Sequence, residues 1–408
     1  MRIVFCRTFI HNFFMRILLA NFTQLGSTGQ IVLSLAAELK KAGHDVLCIF
    51  ALRQANWQDL NCVFAYRSKA EWDFAKAKTR LTGRDGFTSP IATRKILREM
   101  ASFKPDVIHF HNMHGEWIDI RPICSYAKTN GIPLLWTAHD CYLATGRCAH
   151  FSFNDCQKYK SGCGKCPFKK AYPKLYGIDR SAHYWKKKRE ILDATNAVIL
   201  TPSSWLKETL KGAGIKNEIC VVGNPIDSDV FGFNGKHADS SDKKSVGFCA
   251  FGWNEAKGFS FALELAKRLL GKGVGVTFVG LSHDDNRLPK GAKAIARTND
   301  KAELADFYRG LSVFVNPTMQ DVFSMVNTEA IAVGTPVVTF ASGGANEMIE
   351  EGVNGYSVKP GDIDALEKKV LEALHQEWDY EKVASTVTQY DKGNFMKTMM
   401  PFYSRKKN

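Results

Sequence analysis

What most restricts this chain is a repeated alternation of short apolar runs with stretches of helical period. From residue 16, "RILLANF" leads through "TQLGSTG" into "QIVLSLAAELKKAG", where Ile31, Leu35 and Leu39 recur at helical spacing. "DVLCIF", "DVIHFH", "PLLWTAHD" and "AVILTPS" follow as buried strands, the last passing through Ser203 and Ser204 into the helix "WLKETLKGAG". The second half repeats the theme with "SVGFCAFG", the helix "FSFALELAKRLLGKG", "VGVTFVG", the helix "KAELADFYRG", "SVFVNPT", a helix starting near Val326, and "PVVTF". Strands apolar throughout, alternating with helices, require a parallel sheet covered on both faces. A chain of 408 residues exceeds one hydrophobic core. Between the halves, "GNPIDSDVFGFNGKHADSSDKKS" has the composition of a linker. The expectation is α/β: two doubly wound parallel-sheet domains facing a central cleft, with ligands beyond the carboxyl ends of the strands.

The boundaries follow from the same pattern. Residues 1–14 read as an upstream extension, because Arg7 and His11 interrupt the opening apolar run and "MRILLANF" restarts the chain at Met15. Residues 15–222 form a first domain with a Cys-rich insertion at about 141–170, and 223–245 a linker. Residues 246–390 form the second domain, and 391–408 a C-terminal segment open to packing back on the first.

Charge separates the halves. Residues 1–222 carry 33 Lys and Arg against 17 Asp and Glu, while the remainder carries 22 against 24. The basic excess of the first half suits nucleic acid, an anionic membrane surface or a phosphorylated substrate, and charge does not choose among them. No apolar run reaches the length of about 18 residues that a spanning helix needs. Eleven cysteines without a secretion signal imply reduced thiols and a cytoplasmic setting, peripheral on a membrane if the basic face is used so.

Candidate chemistry starts with "NPTMQDVFSMVNTEAIAVGTPVV", which sets Asp321 and Glu329 in an otherwise apolar segment. Paired carboxylates suit vicinal hydroxyls, since each oxygen accepts a hydrogen bond in fixed geometry; a helix-favouring Asp and a solvated Glu are the plain alternative. The cysteine cluster "HDCYLATGRCAHFSFNDCQKYKSGCGKCP" holds Cys163-x2-Cys166, a zinc-knuckle spacing that Cys148 and Cys156 complete as a closed structural site. Free or disulfide-bonded cysteines are the alternative. His109 and His111 alternate onto one face as metal ligands would, with His114 close behind, and are read as packing and cleft residues.

Asp321-x7-Glu329 followed by Ala330, Gly334 and Thr335-Pro336-Val337-Val338 resembles the signature of family 4 retaining glycosyltransferases of the GT-B fold. The first acid is Asp where most of the family has Glu, a spelling similar to the colanic-acid and capsular-polysaccharide branch. The resemblance covers nearly the whole chain from residue 15. It implies an acceptor domain first, a nucleotide-sugar domain second, and transfer of a sugar from a UDP- or GDP-sugar to a saccharide or polyprenyl-diphosphate-linked acceptor. No catalytic metal and no nucleic acid are implied.

The same resemblance assigns roles. Glu329 holds ribose hydroxyls, Asp321 the donor sugar and Lys257 of "FGWNEAKGF" the diphosphate, with the amides of Phe323, Ser324 and Met325 facing the donor. Trp253 falls near the usual Arg of that segment, so either Lys257 with helix-end amides neutralises the leaving diphosphate or another cation such as Arg297 contributes. "GSTGQI" supplies Gly26 and Gly29 for close approach to phosphate, Gln30 standing where relatives often carry Arg. "SGGANEMI" supplies Gly343 and Gly344 ahead of a helix, and His139 of "PLLWTAHD" reaches the reaction centre. A nucleotide-sugar epimerase of the same fold and a zinc-dependent nucleic-acid binder are the competing classes. The second leaves Asp321 and Glu329 without a task.

Overall fold

The computed structural model describes residues 14–54, 59–170, 172–235, 237, 244–298 and 300–405. Residues 1–13 of the expected extension at 1–14 and part of the linker therefore lie outside the described residues.

Among the described residues thirteen strands form two sheets, and every pairing described below is parallel. The first has seven strands in the order β3-β2-β1-β4-β5-β6-β7: β1 Arg16–Ala20, β2 Asp45–Phe50, β3 Asn61–Phe64, β4 Val107–Phe110, β5 Leu134–Thr137, β6 Val198–Thr201 and β7 Ile219–Val221. The second runs β10-β9-β8-β11-β12-β13: β8 Ser245–Cys249, β9 Gly275–Val279, β10 Lys293–Ile295, β11 Val313–Asn316, β12 Val337–Phe340 and β13 Gly355–Val358. In register, Leu18 pairs with Leu47 and with Ile108, and Val315 with Val338.

The nine apolar runs of the sequence are the nine interior strands. β3, β7, β10 and β13, which no run announced, are the four sheet edges. An interior strand is covered on both faces and must be apolar throughout. β3 is "NCVF" with no fully buried residue, and β10 is the three-residue "KAI".

Two compact units divide the chain: one runs up to Thr79 and includes Arg84–Trp136, and the other comprises Arg80–Gly83 and the chain from Thr137 onward. In the second unit, Phe248, Phe278, Val315, Val338 and Phe340 of the six-stranded sheet pack against Leu265 and Leu269 of the helix Phe259–Leu270 and Leu366 and Val370 of the helix Ile363–His375. On the opposite face, Phe314 and Val337 meet Tyr308 of the helix Lys301–Arg309 and Ala330 and Ile331 of the helix Met325–Ala332. These layers fix where the chain emerges at the carboxyl ends of β8, β11 and β12.

Candidate active site

The acids of the signature follow β11, and buried amides fix that stretch of chain. Asn316 ends the strand, and its Nδ2 donates to Ser324 Oγ at 2.9 Å and to Asn327 Oδ1 at 2.8 Å. Asn327 Nδ2 in turn donates to the Ala345 carbonyl at 2.8 Å. Ser324 caps the helix Met325–Ala332, its Oγ accepting from the Asn327 amide. All three polar side chains are buried, so each unmade bond would carry the full cost of desolvation. The strand end, the helix start and the loop after β12 are thereby tied into one piece.

Asp321 lies in the middle of that loop, with its Oδ1 accepting its neighbour Val322's amide at 3.0 Å and its Oδ2 3.0 Å from Lys257 Nζ. Backbone contact brings Lys257 there. Asn254 Oδ1 caps the single turn Glu255–Lys257, and the Met319 amide donates to the Ala256 carbonyl at 3.0 Å. Gly258 follows at φ +71°, where an added Cβ would stand 1.8 Å from the Pro317 carbonyl oxygen. Only glycine lets the two loops touch there. Lys257 and Asp321 keep 40% and 21% of their side chains exposed, so the pair is open to a ligand.

Trp253, at the position of the expected Arg, is a packing residue. Its Nε1 donates to the Val279 carbonyl at 3.0 Å and its ring packs on Phe259 and Phe278. Arg297 stands over the exposed Phe251 ring at 3.4 Å, which places a guanidinium beside the residues following β8, the stretch that leads to Lys257.

Glu329 lies on the helix Met325–Ala332, and Tyr308 Oη donates to its Oε2 at a long 3.4 Å. Part of the side chain reaches the surface. The carboxyl itself is crowded by protein, and that desolvation pushes its pKa up to about 7, against smaller opposing effects of Tyr308 and Lys301. A carboxyl half-charged near neutrality gains from hydroxyl donors brought to it.

Gly343 and Gly344 do not open a helix. Residues 343–348 are consecutive turns. A Cβ on Gly343, at φ +62°, would meet the Asp321 carbonyl oxygen at 2.0 Å, and the Gly344 amide donates to that same oxygen at 3.0 Å. The Gly344 amide is thus spent on shaping the Asp321 loop. Phe323 is buried and its ring packs edge-on to Tyr390 at 5.2 Å, leaving only its backbone to serve a ligand.

Two further side chains went unnoticed in the sequence. Gln320 Oε1 accepts from the Phe153 amide at 2.9 Å, and Glu347 accepts the first amides of the helix Ser204–Gly212, from Ser204 at 2.7 Å and Trp205 at 2.6 Å. Both sit beside the signature residues. Their partners lie more than 140 residues away, beyond any local pattern.

Gly26, at φ +74°, opens the helix Gly26–Lys41, and a Cβ on Gly29 would meet the Gln24 carbonyl carbon at 2.4 Å. His139 follows β5, half-buried, with buried Asp140 after it. His109, His111 and His114 are buried in the first unit, the first two rings 4.2 Å apart, and the Trp136 indole donates to the His111 carbonyl at 3.0 Å. Cys148, Cys156, Cys163 and Cys166 carry free thiols and line one small cavity.

The family described as Glycosyltransferase Family 4 matches residues 28–230, and Glycosyl transferases group 1 matches residues 243–376. The putative colanic acid biosynthesis glycosyl transferase WcaC of Escherichia coli K12 is 31% identical over 132 residues, which is 30% of this chain and 32% of that protein. The capsular polysaccharide biosynthesis glycosyltransferase CapM of Staphylococcus aureus is 35% identical over 71 residues, 17% of this chain and 19% of that one. The chain thus aligns with about a third or less of the length of these relatives. Among solved structures, Anabaena Alr3699/HepE in complex with UDP-glucose superposes with a TM-score of 0.67 at 13% identity, over 96% of this chain and 99% of that one. A Rickettsia africae glycosyltransferase gives 0.67 at 15%, over 96% and 98%. At such identities the likeness establishes the fold.

Proposed function

The chain belongs to the family 4 glycosyltransferases of the GT-B fold, and from that premise we propose that it transfers a sugar, with retention, from a nucleoside-diphosphate sugar to a lipid-linked saccharide in capsule or exopolysaccharide synthesis. The observation that carries the donor half is the accessible Lys257–Asp321 pair at 3.0 Å, whose acid lies on the same loop-and-helix unit as Glu329.

Departure of the nucleotide leaves negative charge on the diphosphate while the sugar becomes oxocarbenium-like, so fixed positive groups aimed at phosphate lower the barrier most. Lys257 supplies that charge, and the first amides of the helix Met325–Ala332 add the positive end of its dipole. Arg297 extends the cationic surface. Asp321 accepts from sugar hydroxyls once the phosphate draws Lys257 away, and Glu329 accepts from the ribose. Same-face displacement, with the leaving phosphate taking the acceptor proton, needs no carboxylate base.

The acceptor half is supported by the first unit. Between the helices Lys69–Thr82 and Pro90–Phe103 lies a depression of about 630 Å³. Its lining includes Arg67, Arg94 and Arg98 together with the strongly exposed Phe74 and Ile91. Glu71 is the acid of the lining, and its carboxylate accepts the Arg67 amide at 2.8 Å. Cationic and apolar groups side by side fit an amphiphile with a phosphate head. No helix among the described residues is long and apolar enough to cross a membrane, so contact with lipid would be made at such a surface.

The test is a panel of UDP- and GDP-sugars, each incubated with the protein alone and with a polyprenyl-diphosphate saccharide. Transfer needing both partners is expected. Isomerisation of the donor alone would instead reveal an epimerase, and failure to sediment with anionic vesicles at low salt would remove the lipid part of the proposal.

A further inference from the structure

The stretch between β5 and the helix Ser181–Thr195 contains only two single-turn helices, Ser152–Asn154 and Lys158–Lys160, among its described residues. With regular secondary structure so sparse over these forty-odd residues, side chains supply much of the cohesion. Cys148, Cys156, Cys163 and Cys166 come from three separate turns of this stretch and converge on one cavity of about 20 Å³, room for a single water-sized particle. The groups around it suit a thiolate cluster. The Gly146 amide donates to Cys163 Sγ at 3.2 Å, and Arg147 Nη1 lies 3.6 Å from Cys166 Sγ and 4.0 Å from Cys148 Sγ. Asp179 holds the Cys166 amide at 2.7 Å, fixing the knuckle from outside. Gly164 at φ +144° and Lys165 at φ +45° curl that knuckle so that both its cysteines face the same side.

We propose that these four cysteines bind one structural zinc ion. Each thiol gives its proton to solvent as its sulfur replaces a water on the metal, and the fully occupied shell leaves no position for substrate. Four thiolates around Zn²⁺ carry two net negative charges. Arg147 is placed to offset them, and the N–H donors to sulfur are the outer partners such a centre requires. Among the described residues no three metal-ligating side chains already stand as a coordination shell, so closure requires the thiols to turn about χ1 onto the shared cavity. The rival is oxidation, with Cys148 bonded to Cys166.

The full chain, purified under reducing conditions without chelator, should contain one zinc per molecule by plasma mass spectrometry. The double variant C163S/C166S should hold less than a tenth of that, and C249S, in β8 outside the cluster, should retain it. If the double variant fails to fold, cobalt exchange into the wild-type chain gives the answer: intense visible bands of a tetrahedral site with sulfur-to-metal charge transfer are expected. A metal-free wild-type chain that takes up no cobalt would overturn the proposal. So would zinc that persists in a folded C163S/C166S chain, weak octahedral cobalt bands, or an intact mass showing a Cys148–Cys166 disulfide.

Discussion

The loop after β11 and the cysteine-rich stretch after β5 are both irregular backbone at the carboxyl end of a parallel sheet, but they are held by different means. The loop spans eight residues between Asn316 and the helix at Met325. Its shape is dictated by the layers beneath it, through the Asn316, Ser324 and Asn327 bonds and through glycines that let Pro317 and Asp321 lie on neighbouring backbone. The cysteine-rich stretch is anchored by long side chains of the helix Ser181–Thr195, with Lys188, Arg189 and Trp185 donating to the carbonyls of Tyr142, Ala144 and Tyr159, and on our proposal it adds a metal centre of its own. A site that must place a charge to within fractions of an ångström is built on the first kind of support. The second kind makes a firm surface but responds to anything that removes its centre.

That contrast is open to attack at several points. The largest effect is expected at Gly258. Substitution by Ala adds a carbon 1.8 Å from the Pro317 oxygen at a left-handed φ, and should cost about 3 kcal/mol or more of stability, read as the shift of a urea midpoint. A chelator that strips the cysteine cluster should leave this loop, and nucleotide binding, largely intact.

Lys257→Ala should lower kcat by about 10²- to 10³-fold, the scale expected for losing one charge at the departing group. The pair it breaks is partly exposed, so stability should change by less than about 1 kcal/mol. Equal losses of activity and stability would mean that Lys257 is part of the scaffold.

Asn327→Ala removes one of the two bonds of the Asn316 side-chain amide and the side-chain donor to the Ala345 carbonyl, and should cost about 2 kcal/mol, with donor affinity falling as the Asp321 loop loosens. Donor affinity unchanged after that loss would separate the network from the site.

Glu329→Gln gives the smallest and most diagnostic change. The folded-state pKa of about 7 lies above the ordinary 4.5, so the carboxyl favours the folded state while protonated. That contribution is complete below about pH 4.5 and is lost as the pH rises through 7. The Gln variant should therefore match the parent near pH 4.5 and exceed it by about 1–2 kcal/mol at pH 8, the full shift being discounted because the side chain reaches solvent. Its nucleotide affinity should fall at the same time. Stability given up for binding is what a ligand-holding carboxylate predicts.

Interior strands were legible because burial on both faces forces a run such as "VILT" or "VVTF", and the acids were legible because carboxylates are costly among apolar neighbours. The edge strands were not, since "ICV" and "GYSV" escape that constraint with one side at the surface. Asn316 and Asn327 read as ordinary polar residues until β11 and the following helix bring them to 2.8 Å. The glycine pair at 343–344 was visible, but its purpose was not: the turn exists to receive the Asp321 carbonyl, a contact across more than twenty residues.

The central claim is that Lys257 grips phosphate while Glu329 grips ribose. Calorimetric titration of the wild-type, Lys257→Ala and Glu329→Ala chains with the best-binding nucleoside diphosphate, and with its parent nucleoside, tests this most directly. Lys257→Ala should weaken the diphosphate at least tenfold and spare the nucleoside, whereas Glu329→Ala should weaken both. Identical affinities in all three folded chains would contradict the account.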